Sequence, residues 1–184
     1  MSDTADVLIL PGLGDSGPDH WQSAWERRDP ACRRVRQDDW DAPRCADWVA
    51  RLDAAVAAAP TPVVLAGHST ACALVAHWAA GAAAGRRAMV RGALLVAPSD
   101  PTHAHFPAGP TGFAPVPLAR LPFASIVVAS SDDHYIAVAQ ARAYADAWAS
   151  RWVLLAGAGH INVASGFGPW PDGYALLGSL RTTA

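Results

Sequence analysis

Charge is scarce in this chain. Only 16% of its 184 residues are Asp, Glu, Lys or Arg, and the formal net charge is −2. No basic stripe exists to grip a phosphate backbone, which excludes a nucleic-acid partner. Arg27, Arg28, Arg33, Arg34 and Arg36 are interrupted by acids and read as ordinary solvated surface. Cysteine is scarce too. Cys32, Cys45 and Cys72 are odd in number and lack metal-ligand spacing, so neither a disulfide framework nor a zinc site is expected. A reducing, cytoplasmic setting is the expectation. Long hydrophobic runs are missing: none approaches the roughly 20 residues that span a bilayer, and the N-terminus has no basic-then-apolar signal pattern. No membrane partner is expected. Apolar residues, by contrast, make up 52% of the chain. That composition excludes disorder, and the length predicts one domain, 1–184, with a core of its own.

Five short apolar runs read as buried strands: Val7–Leu10, Val63–Ala66, Ala93–Ala97, Ile126–Ala129 and Val153–Ala156. A weaker one lies near Arg33–Val35. Helical periodicity covers Arg44–Ala59, where Cys45, Trp48, Val49, Leu52 and Val56 share a face. It also covers Asp133–Trp148, Thr70–Ala84 and Asp172–Leu180, and a helix is expected to begin near Pro18. Strand–helix alternation predicts an α/β sandwich: a mostly parallel sheet with helices on both faces and right-handed crossovers. The segment 98–122 breaks the rhythm. Its seven prolines prevent both helix and ladder. It follows the C-terminal end of a strand, where such sheets place ligands, and is expected to cover the site in part; no large cap domain fits in the chain.

The residues Val63-Val-Leu-Ala-Gly-His-Ser-Thr-Ala71 carry the strongest chemical signal. A strand, a sharp turn centred on a serine and a helix form a nucleophile elbow. This turn lifts the Ser69 hydroxyl above the sheet and aims the Thr70 N–H at a developing oxyanion. A serine needs a base and an orienting acid. Both follow in the order Ser, Asp, His at later strand ends: Asp132 and Asp133 after Ile126–Ala129, and His160 after Val153–Ala156. Ser69 is the expected nucleophile, His160 the base and Asp133 the acid, with Asp132 the alternative acid or a helix cap. The loop Pro11-Gly-Leu-Gly14 offers a second oxyanion donor, the Leu13 N–H. His20, Trp21 and His68 are candidate pocket residues. His68 is expected to pack or hydrogen-bond locally rather than act as the base, and Cys72 belongs in the core.

Two other readings of the motifs exist. Gly12-Leu-Gly14-Asp-Ser-Gly17 is a literal G-x-G-x-x-G with Asp38 or Asp39 about 20 residues on, the pattern of a dinucleotide site. Pro18, directly after it, removes an N–H that would hold the pyrophosphate, and the ordered Ser69, Asp133 and His160 set is left unexplained. Asp100, His103 and His105 resemble metal ligands, but no fourth is evident, so neither a metal nor a cofactor is expected.

The chain resembles the small, capless α/β-hydrolases grouped as retinoblastoma-binding-protein-like or YdeN-like serine hydrolases. The resemblance spans nearly the whole chain. It is carried by Leu10-Pro-Gly-Leu-Gly-Asp-Ser-Gly17, Pro18-Asp-His-Trp21, Gly67-His-Ser-Thr-Ala71, Val96-Ala-Pro98, the Asp132-Asp133 turn, Gly159-His-Ile-Asn162 and Ser165-Gly-Phe-Gly-Pro-Trp170. It implies a cofactor-free Ser-His-Asp hydrolase with esterase activity, its triad falling on Ser69, Asp133 and His160. Two positions depart from the family pattern. Ala71 stands where the elbow closes with glycine, and His134 stands where proline often follows the acid. The expected activity is a carboxylesterase acting on small acyl esters. A non-catalytic binding protein on the same fold is the alternative, and peptidase or amidase chemistry would use the same triad.

Overall fold

Each of the five apolar runs seeds a strand, and the weaker sixth near Arg33 forms one as well. The computed structural model describes residues 4–182. The strands are β1 (Val7–Leu10), β2 (Cys32–Arg34), β3 (Val63–His68), β4 (Val90–Val96), β5 (Ala124–Ser130) and β6 (Arg151–Leu155). The helices are α1 (Trp21–Arg28), α2 (Cys45–Ala57), α3 (Thr70–Gly81), the single turn α4 (Ala84–Arg87), α5 (Val138–Trp148) and α6 (Pro171–Arg181). All strand pairs are parallel, in the order β2-β1-β3-β4-β5-β6. This is an α/β fold in which all six strands finish at the same, C-terminal end of the sheet.

Side chains alternate across a strand, and both faces are covered. Leu8, Leu10, Leu65, Ala93, Leu95, Val127 and Ala129 pack under α2, α3 and α5. Val7, Ile9, Val64, Ala66, Leu94, Val96, Ile126 and Val128 pack under α1 and α6. Burial on both faces is why the strands read as continuous apolar runs. Helix α3, apolar on nearly every side, is buried along its length and fixes the elbow against the middle of the sheet. Among the described residues no helix is long and apolar enough to cross a membrane.

Three helix boundaries differ from the sequence pattern. The α5 helix starts at Val138 rather than Asp133, because the Asp133 carboxylate accepts the Tyr135 N–H at 2.9 Å and closes a turn there. The α1 helix starts at Trp21, capped by the His20 ring, which accepts from the Gln22 N–H. The helix after Ser69 ends at Gly81, with α4 a separate turn. The proline-rich segment is anchored rather than free. Phe113, Val116 and Leu121 are buried, and Pro117 O accepts from Trp148 Nε1 at 2.9 Å.

Candidate active site

The elbow is strained where the chemistry would need it. Ser69 has φ 58° and ψ −125°, a conformation L-residues avoid unless the surroundings impose it. Its N–H is tied to Val96 O at 2.9 Å, and its own carbonyl accepts the Cys72 N–H at 3.0 Å as the first turn of α3. The loop after β1 passes directly over it. A Cβ on Gly12 would lie 2.9 Å from Ser69 Cβ and 3.0 Å from His68 O, so only glycine allows that approach. Ala71 is accommodated opposite Gly67, where a built Cβ would lie 3.7 Å from the Ala71 methyl.

His160 Nε2 lies 2.8 Å from Ser69 Oγ. Its Nδ1 lies 2.9 Å from both Asp133 oxygens, and the Asp133 side chain is only 1% exposed. An ionised carboxylate only accepts, so Nδ1 carries the proton and Nε2 presents its lone pair to the Ser69 hydroxyl. Asp132 serves the same histidine differently. Its Oδ1 accepts from Ser130 Oγ at 2.7 Å and from the Gly159 N–H at 2.8 Å. The Ser130 hydroxyl, then the Gly159 N–H, hold this carboxyl below the usual aspartate range. Ser130 Oγ and Ser131 Oγ accept the Ala158 and Gly157 N–H groups, each at 2.9 Å. The acid turn thus grips the histidine loop at three consecutive residues.

The histidine loop is itself contorted. Gly159 has φ 53° and Ile161 φ 48°, so His160 sits between two left-handed residues, one of them β-branched. Ile161 O accepts from Trp21 Nε1 at 2.9 Å. Trp21 is fully buried and does not reach the cavity, which corrects its assignment as a pocket residue. His20, the extended N-cap of α1, takes the cavity side, and Trp21, the first residue of the helix, takes the core.

A cavity of 360 Å³ opens above the serine, bounded by Leu13, His20, His68, Ser69, Thr70 and His160 among others. As the first helical residue, Thr70 has an N–H with no intrahelical acceptor. Phe106 and Pro107 of the proline-rich segment, Tyr135 and Asn162 also line it; the sequence reading missed them as pocket residues. The Tyr135 ring stands edge-on to His160, with centroids 4.7 Å apart. Among the described residues, Asp15 and Asp41 line the cavity and no arginine does.

Both buried imidazoles in the wall are held neutral. Burial, aided by the Arg34 charge, pulls the His20 pKa from 6.5 to about 4. Burial, then the neighbouring His160 and His20, push His68 well below its ordinary value. His68 Nε2 donates to His160 O at 2.9 Å. His20 Nδ1 accepts from the Gln22 N–H at 3.2 Å, so its proton sits on Nε2, which is buried without a partner. Burial also raises the Cys72 thiol, an inert core group.

The competing motifs lose their geometry. A dinucleotide site needs a helix N-terminus on the glycine loop, yet α1 begins four residues past Gly17 and its Gln22 N–H is taken by His20. Asp38 pairs with Arg51, and Asp39 accepts the Asp41 and Ala42 N–H groups. The His105 ring lies flat on His134 with centroids 3.8 Å apart. Among the described residues no group of three or more His, Cys, Asp or Glu is placed to hold a metal ion.

Comparison with known proteins agrees with this geometry. The family model described as serine hydrolase matches residues 7–179. A YdeN-like hydrolase from Pectobacterium atrosepticum is 32% identical, with a TM-score of 0.83 over 98% of this chain and 92% of that one. The ydeN gene product of B. subtilis is 22% identical, with a TM-score of 0.73 over 96% and 98%. Esterase 2 of Thermogutta terrifontis is 16% identical, with a TM-score of 0.65 over 95% and 81%. The last two share the fold. No curated protein matches the chain. The match over most of the chain, with the Pectobacterium likeness at near-full coverage, places this chain in the serine hydrolase family, among its small YdeN-like members.

Proposed function

We propose that this hydrolase is a carboxylesterase acting on small acyl esters. The observation that carries the reading is His160, whose two ring nitrogens lie at 2.8 Å from Ser69 Oγ and 2.9 Å from the Asp133 carboxylate. Ser69 attacks the ester carbonyl while His160 takes its proton, and Asp133 steadies the imidazolium. The Leu13 and Thr70 N–H groups hold the oxyanion. His160 then protonates the leaving alcohol, an acyl-enzyme remains, and water activated by His160 releases the acid. Phe106 and Pro107 of the proline-rich segment line the cavity, which supports a partial cover, and a volume of 360 Å³ suits short acyl groups.

The test is a series of p-nitrophenyl esters from acetate to dodecanoate, with the acetyl anilide alongside. The expected result is the highest kcat/KM at acetate or butyrate, with the anilide far slower. A preference for long chains overturns the short-acyl reading, and equal rates on the anilide favour an amidase. A folded protein inactive on every substrate favours a non-catalytic binding role.

A further inference from the structure

We infer that Gln22 is the positioning residue that holds the two oxyanion-hole segments in register, an inference that rests on the serine hydrolase chemistry proposed above. Gln22 is fully buried and lies outside the triad and the cavity wall. Its Nε2 donates to Leu10 O and to Ala66 O, each at 3.0 Å. Its Oε1 accepts from Ser16 Oγ at 2.6 Å. With two carbonyls on one side and a hydroxyl on the other, the amide orientation is fixed by its partners.

These acceptors have a common theme. Leu10 ends β1, immediately before the loop that carries Leu13. Ala66 lies in β3, three residues before Ser69. The two strands are parallel neighbours, and their pairing ends at Leu10 and Gly67. The Gln22 amide thus bridges both chains at the point where the ladder stops. Ser16, its third partner, closes the far end of the same loop, so one side chain grips that loop at its start and its finish. Arg34 reinforces the far end, donating to Asp15 Oδ1 at 2.7 Å and to Ser16 O at 2.9 Å. The tolerance is small, because Gly12 has no room for even a methyl group against Ser69. Oxyanion donors act only within a few tenths of an ångström of their working distance. A shift of the loop against the elbow would move Leu13 relative to Thr70 and leave Ser69, His160 and Asp133 in place.

The test compares Gln22→Met, which keeps volume and removes the amide, with Ser16→Ala, which removes one of the three bonds. Melting temperature, kcat, KM, the pH profile and affinity for a small alkylboronic acid, a tetrahedral mimic, are measured for each. The expected result is a kcat about 10- to 100-fold lower in Gln22→Met. KM should stay within about twofold, boronate affinity should fall in parallel with kcat, and the inflection of the pH profile should not move. Ser16→Ala should show the same pattern at about three- to tenfold, and decides the matter if Gln22→Met does not fold. A folded Gln22→Met with unchanged kcat and boronate affinity overturns the inference. So does a rise in KM alone, or a shifted pH profile in Ser16→Ala. These outcomes leave the parent reading standing, whereas native protein that neither hydrolyses esters nor binds boronate overturns both.

Discussion

Asp132 accepts the Gly159 N–H at 2.8 Å while its neighbour Asp133 holds the ring of the next residue, His160. Two adjacent carboxylates therefore act on one histidine. One contacts the ring, the other the backbone that carries it. They should separate cleanly by mutation. Asp133→Asn is expected to lower kcat by about 10⁴-fold, through the wrong imidazole tautomer. Asp132→Asn keeps an acceptor for Gly159 and should cost about fivefold, on the scale of one weakened hydrogen bond. Steady-state kinetics on a short ester checks both, and equal losses would refute the division.

The buried histidines predict acid lability. Unfolded, His20 takes up a proton below its ordinary value of 6.5; folded, it does so only near pH 4. The unfolded state binds more protons in that window, so stability is full above pH 6.5 and falls towards pH 4, by about 1.4 kcal/mol per pH unit per group. His68, displaced in the same direction by burial, adds to the slope. Urea unfolding from pH 7 to pH 4 should show this loss, and His20→Asn should remove about one proton's worth of slope. An unchanged slope in that variant would contradict the assignment.

Trp21 supports the histidine loop from the core side. Trp21→Phe leaves the carbonyl of Ile161, a residue held at φ 48°, without its 2.9 Å donor. The expected cost is about 1–3 kcal/mol, or several degrees in Tm for a chain of this size. A lower kcat should accompany it as His160 loses its fixed orientation. Calorimetry and ester kinetics on the same preparation measure both effects.

Charge should shape selectivity. Among the described residues, Asp15 and Asp41 line the cavity and no arginine does; Asp15 is paired with Arg34. A monosuccinate ester should be hydrolysed about fivefold less efficiently than the matching butyrate, consistent with about 1 kcal/mol between nearby charges in water. Asp41→Asn and added salt should both narrow the gap. A preference for the anionic ester would contradict the reading.

The sequence carried the sheet well because parallel strands buried on both faces are unbroken apolar runs, and Val7–Leu10 coincides with its strand. Ser69, Asp133 and His160 were legible because each follows such a run, at the edge where a parallel sheet delivers its loops. The start of α5 was not, since Ile136 and Ala137 continue a helical pattern that the Asp133 side chain interrupts. Trp21 was misplaced because its proximity in sequence to His20 does not show that the helix starts between them, with the cap on the cavity side and the first helical residue in the core. Gln22, Ser130 and Ser131 left no local signature. Their partners lie at Ala66, Ala158 and Gly157, distances along the chain that no periodicity reports.

Whether Ser69 is an activated nucleophile is read by labelling with a fluorophosphonate probe, comparing native protein with Ser69→Ala and His160→Ala, each verified as folded by circular dichroism. Strong labelling of the native chain at Ser69, lost in both variants, is the expected result. A folded native protein that is not labelled, or one labelled equally well without Ser69, would contradict it.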